Sequence, residues 1–124
     1  MKRIVFCLLS LMIFPALSGI AWAGEADVLD VKVTKTATRT YRFVVTVRHG
    51  DEGWKHYADA WEVVGPDGKV LGRRILLHPH ETEQPFTRSL GGVKIPDGIK
   101  QVTLRARDKV HGFGGKTFAV ELPR

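Results

Sequence analysis

From Ala26 onward, apolar and polar side chains alternate with a period of two, in short runs punctuated by glycine, proline and aspartate. No apolar stripe recurs at the 3.6-residue period over the length of a helix, so the pattern predicts strands with one face buried and the other solvated. Leu29, Val31 and Val33 share one face of a first strand, which residues 35–39 then turn. Tyr41, Phe43, Val45 and Val47 share one face of a second, with Arg42, Thr46 and Arg48 opposite, and this strand ends at His49. A polar, glycine-bearing loop carries the chain to a third strand over residues 58–64, with Trp61 and Val63 inward. The Gly65-Pro66-Asp67-Gly68 turn leads into a fourth strand over residues 70–77. Its inward face is ambiguous, because Leu71, Ile75 and Leu77 compete with Val70 and Leu76, and Gly72 suggests a bulge. Residues 86–90 form a fifth strand, followed by a turn region from Gly91-Gly92 through residues 95–98. Val102, Leu104 and Ala106 face inward on a sixth, and Phe118, Val120 and Leu122 on a seventh.

Seven short strands with turn signals every 8 to 12 residues or so predict an all-β, immunoglobulin-like antiparallel sandwich; a small β-barrel is the alternative. In such a sandwich alternate connections lie at opposite ends. The second-to-third connection holds His49 and His56, the fourth-to-fifth His78 and His80, and the sixth-to-seventh His111. All five histidines of the chain therefore map to one end. Asp51, Glu52, Glu81, Glu83 and Asp108 border the same connections, beside Trp54, Tyr57 and Phe113, and strand parity directs His49, Asp59 and Asp108 inward.

The amino terminus changes the chemical inventory. Met1-Lys2-Arg3 precedes an almost wholly apolar run from Ile4 to Leu17, and Ala21-Trp22-Ala23 offers small residues where a signal peptidase reads. These features predict a Sec signal peptide over residues 1–23, cleaved after Ala23, and a single domain over residues 24–124 in the periplasm or outside the cell. The sole cysteine, Cys7, and both methionines, Met1 and Met12, lie within that leader. The expected mature chain has no sulfur, so disulfides, thiolate catalysis and thioether metal ligation are excluded. With no cysteine at the cleavage point, no membrane anchor is expected either.

Loss of Lys2 and Arg3 lowers the formal charge of +6 by two. The remaining basic residues alternate along strands, as at Arg105 and Arg107, and do not cluster with stacking aromatics, so nucleic acid is not an expected partner. Nucleophilic catalysis has few candidates: Ser89, the serine outside the leader, lies on a strand with no nucleophile-elbow pattern around it. A non-enzymatic protein is expected.

Imidazole and carboxylate without sulfur suit Cu(II) or Zn(II). His78, His80 and His111 are the leading candidate ligands, followed by His49 and His56, with Glu81, Asp108 and Asp59 as groups that orient an imidazole. The expected partner is a metal ion or a periplasmic protein. In the alternative reading, the same loop end recognises a protein or glycan through Trp54, Tyr57 and Phe113.

Residues 58–63, His78-Pro79-His80 with residues 83–90, and residues 110–116 together resemble a small uncharacterised family of secreted bacterial β-sandwich proteins. That resemblance covers nearly the whole expected mature domain and implies no activity, substrate or cofactor. The chain is also similar in outline to periplasmic copper-carrying β-sandwiches. Those use a histidine at the mature amino terminus or methionine-rich patches, and this chain has neither.

Overall fold

The computed structural model describes residues 24–124. The apolar amino-terminal segment read as a signal peptide lies outside them. Seven strands follow in order among the described residues: β1 (Asp27–Ala37), β2 (Thr40–Arg48), β3 (Ala58–Val64), β4 (Val70–Ile75), β5 (Phe86–Lys94), β6 (Gln101–Asp108) and β7 (Phe118–Glu121). A short 3-10 turn, Gly53–Lys55, interrupts the loop between β2 and β3.

The strands form two antiparallel sheets, one ordered β1-β2-β5 and the other β4-β3-β6-β7. Neither closes on the other, so the molecule is an immunoglobulin-like sandwich and not a barrel. The alternating residues meet between the sheets: Phe43, Val45 and Val47 of β2, Trp61 and Val63 of β3, and Val102, Leu104 and Ala106 of β6 are all buried. Trp61 is wholly enclosed, as is Phe86 at the start of β5.

Departures from strict alternation occur at bulges, where one extra residue on a strand shifts the facing of its neighbours. In β1 the register shift between Val28 and Asp30 isolates Leu29, so Val28 and Val31 enter the core and Leu29 is half-buried. In β4 the extra residue is Leu71, next to Gly72; the strand ends at Ile75, Leu76 turns inward and Leu77 is exposed. Gly91 and Gly92, expected to open a turn, instead lie within β5 as a two-residue bulge opposite Arg42. Gly92, at φ 64°, supplies the left-handed backbone this requires.

On the outer face of the four-stranded sheet, the fully buried Glu62 carboxylate is closed off by Arg73 of β4 and Arg105 of β6. Arg105 donates to Oε1 from Nε at 2.9 Å and Nη2 at 2.7 Å, while Arg73 takes Oε2. The arginines that alternate along these strands thus cover a buried charge.

The chain enters β1 against the segment that leads into β7. The Val28 amide donates to the Lys116 carbonyl, and the Lys116 amide donates to Asp27 Oδ1. A Cβ at Gly115 would overlap the Ala26 carbonyl, a backbone group that cannot swing aside. Gly115→Ala is therefore expected to destabilise the fold by about 1–3 kcal/mol, read as a lower urea midpoint. Because this contact sits at the histidine-bearing end, the same change should loosen the loops around it.

Candidate metal centre

The β2–β3, β4–β5 and β6–β7 loops lie at one end of the sandwich, as the antiparallel order requires. Within that end the histidines divide into two groups. His49, where β2 runs out, and His56, just before β3, bring their Nε2 atoms to 3.2 Å from each other. Asp108, the last residue of β6, places Oδ1 3.3 Å from His56 Nε2 and Oδ2 3.9 Å from His49 Nε2. All three residues are buried, and one ligand atom from each falls within a 4.8 Å group. Metal–ligand bonds of about 2.0–2.1 Å at tetrahedral angles put ligand atoms roughly 3.3 Å apart. The 3.2 Å between the two Nε2 atoms is that of a tetrahedral edge, and each imidazole has a different Asp108 oxygen as its near neighbour.

His111 completes the rim. Its Nδ1 lies 3.2 and 3.3 Å from the two Asp108 oxygens, and its ring centroid is 5.1 Å from that of His56. Unlike the other three, its side chain is about a third exposed, so it faces the solvent side of the group. Asp108 is held from behind by the amides of Val110, at 2.8 Å, and His111, at 2.6 Å.

Asp51 organises the interior side. Its Oδ1 lies 2.6 Å from His49 Nδ1 and accepts the Ala58 amide at 3.0 Å, and its Oδ2 accepts the His80 amide at 2.6 Å. Burial by itself raises this carboxyl's pKa, but the His49 bond and the His80 and Ala58 amides outweigh it and hold the group below its ordinary value. Asp108 behaves alike: burial opposes ionisation, and the His111 and Val110 amides, with the charges of His111 and His49, overcome it. An ionised Asp51 only accepts, so His49 carries its proton on Nδ1 and, when neutral, presents the Nε2 lone pair to His56 and Asp108. This carboxylate–histidine pairing is the outer-shell arrangement that orients metal-binding imidazoles. Asp51→Asn should accordingly weaken Zn(II) affinity by about 10–100-fold, measured by competition with a chromophoric chelator.

The two buried imidazoles with resolved shifts move in opposite directions. Burial works against a charged His49, but the Asp51 hydrogen bond, the charges of Asp51 and Asp108, and the Gly24 backbone raise its pKa above 6.5. His80 is lowered, first by burial and then by Arg88 and His78, against the pull of Asp51 and Glu83. In the metal-free protein, nuclear magnetic resonance should find His49 titrating above 6.5 and His80 below it. The stability contributed by His49, full below 6.5, is then lost as pH rises through its raised value. That of His80 has the opposite sign, present above 6.5 and lost as pH falls through its lowered value. Zn(II), which needs a deprotonated imidazole, should abolish the His49 titration and bind more weakly as pH falls through it.

The sequence-derived candidates therefore redistribute. His49 and His56, ranked second, converge with Asp108, which supplies a potential ligand atom and not merely orientation. His111 stands beside them. His78 and His80 form the other group, with ring centroids 4.6 Å apart; His78 is exposed with Nδ1 3.0 Å from its neighbour's carbonyl at Pro79. His80 is buried, stacked on Phe86 at 4.0 Å and 8°. Asp59 turns away because it is the extra residue of a bulge between Ala58 and Ala60, and it pairs with Arg107. Glu81 is exposed.

Among the aromatics, Tyr57 is buried, with Trp54 edge-on at 5.8 Å and the Lys109 ammonium 5.0 Å from its ring. Trp54 itself is 63% exposed, and Phe113 lies under the Arg105 guanidinium. Asp51 is not among the candidates that the sequence supplies, yet it holds both His49 and the His80 amide. Its signal was the His49-x-Asp51 spacing, which places a carboxylate within reach of the imidazole only once the loop is folded.

A curated protein of Halomicrobium mukohataei with the name "Putative lipoprotein" is 43% identical to the chain over 97 residues, covering 78% of the chain and 47% of that protein. The chain thus spans about half the length of the curated relative it matches. No family model matches the chain, and no solved structure matches it.

Proposed function

We propose that the chain is an extracytoplasmic, non-enzymatic binding protein for a divalent transition metal, held by His49 Nε2, His56 Nε2 and an Asp108 oxygen. The observation that carries this reading is the convergence of three buried side chains, with one potential ligand atom from each within 4.8 Å of the others and the two Nε2 atoms 3.2 Å apart, while Asp51 fixes the His49 tautomer. Two imidazoles and one carboxylate are a donor set that suits Zn(II), which takes a tetrahedral shell where Cu(II) prefers a tetragonal one. His111 stands where a fourth ligand would approach from solvent. The basic and apolar start of the chain, with Ala21-Trp22-Ala23 after it, supports export and cleavage after Ala23. The name of the Halomicrobium mukohataei relative agrees with an envelope or extracellular location.

Binding confined to the folded state raises stability by linkage, by about 2.7 kcal/mol at a hundredfold excess over Kd. For a domain of this size that is a melting-temperature rise on the order of 10 °C. Zn(II) should produce it and a chelator should reverse it; a melting temperature unmoved by Zn(II), Cu(II) and Ni(II) alike overturns the reading.

The exposed Trp54 supports recognition of a protein or glycan at the same end. Such binding would persist in chelator, whereas metal-dependent order in the loops would not.

A further inference from the structure

Beside the β4–β5 connection, three buried side-chain nitrogens have no hydrogen-bond partner among the described residues: Nδ1 and Nε2 of His80, and Nε of Arg74. Both side chains line one cavity of about 80 Å³, together with His78, Arg88, Leu76 and Leu77. Buried polar groups are costly to leave unmatched, so a polar occupant of this cavity is expected to serve those that face it.

The charges around it are arranged for an anion. Arg73 and Arg105 close on Glu62, but Arg74 has no carboxylate partner among the described residues. Arg88 reaches Glu83 Oε1 at 3.0 Å and keeps its guanidinium carbon 5.8 Å from the Phe86 ring on which His80 stacks. An incoming anion would share Arg88 with the exposed Glu83.

His80 adds selectivity. Its faces are constrained by Phe86 and His78, so its edges are what it offers. The Asp51 carboxylate lies 3.9 Å from Nδ1, which favours the tautomer with the proton on that side. Nε2 is then left as an acceptor, and burial with the neighbouring Arg88 and His78 charges keeps the ring neutral. The cavity thus pairs cationic donors with one buried acceptor. An oxyanion that fits must carry both negative oxygens and a hydroxyl.

We infer that the Arg74, His80 and Arg88 cavity is a binding site for inorganic phosphate, whose oxygens take the guanidinium donors while a P–OH donates to His80 Nε2. Sulfate has no hydroxyl at neutral pH. A phosphate monoester has lost its last proton above about pH 6. Both would leave His80 Nε2 unmatched.

The test is isothermal titration of the purified, chelator-treated protein at pH 7.5 and constant ionic strength with phosphate, sulfate and methyl phosphate in turn. Chelator removes any route through the metal group, so failure here would not bear on that site. Phosphate should bind about tenfold or more tighter than either of the others. Arg74→Gln should abolish that preference, while Arg42→Gln, a change at an exposed arginine on β2, should preserve it. Phosphate should also shift the His80 imidazole resonances of the unaltered protein, which keeps the test decisive if Arg74→Gln fails to fold. Equal binding of sulfate, no binding of any anion, or a phosphate response untouched by Arg74→Gln overturns the inference.

Discussion

His56→Ala is expected to weaken Zn(II) binding by roughly 100-fold or more. A structural zinc site is worth about 10–16 kcal/mol in small folded units, so one ligand in three or four carries on the order of 3 kcal/mol, or two decades of affinity. His56 is the informative ligand to remove because its loss leaves few buried groups stranded. Loss of His49 would take from the buried Asp51 carboxylate its imidazole partner, and Asp108 anchors the Val110 and His111 amides, so changes at either mix folding with binding. Competition titration of His56→Ala should show the weakened affinity, with strand content by circular dichroism unchanged. His111→Ala, at the half-exposed rim, should cost less than His56→Ala in the same assay.

Trp61→Ala is expected to be the most destabilising single change, by about 3–5 kcal/mol. Trp61 is wholly buried at the middle of β3, between β4 and β6, and it faces the other sheet across the core. Truncation removes the largest enclosed side chain and leaves a cavity that two hydrogen-bonded sheets cannot collapse to fill. Domains of this size are stable by only about 5–15 kcal/mol, so urea unfolding should show the midpoint falling by about a fifth of its value or more. Trp61→Phe should fare much better, since the indole Nε1 has no hydrogen-bond partner among the described residues and its loss strands no acceptor.

The fold was legible wherever a strand kept its parity. Tyr41 to Val47 alternates in the structure as it does in the chain, because a half-buried strand without bulges writes its facing directly into sequence. Leu29, Leu71 and Asp59 broke the pattern for one shared reason: each is the extra residue of a bulge, and a bulge is set by pairing with a partner strand. Gly91-Gly92 suggests a turn because glycine pairs punctuate chains, yet hydrogen bonds to β2 carry β5 straight through.

For the site, topology was enough to gather five histidines at one end, since loop placement follows from strand order. Which imidazoles meet was not legible. That depends on loop conformation: the stacking of His80 on Phe86 draws it into a different group, and Asp51 reaches back to His49 and across to His80 at once.

The proposed metal ion sits among His49, His56 and Asp108. Zinc X-ray absorption on the Zn(II)-loaded protein, with and without His56→Ala, tests that placement most directly. The predicted result is one ion per chain in a four-coordinate nitrogen and oxygen shell at about 2.0–2.1 Å, with imidazole scattering reduced by one ligand in His56→Ala. A six-coordinate oxygen shell, or a spectrum that His56→Ala leaves unchanged, would contradict it.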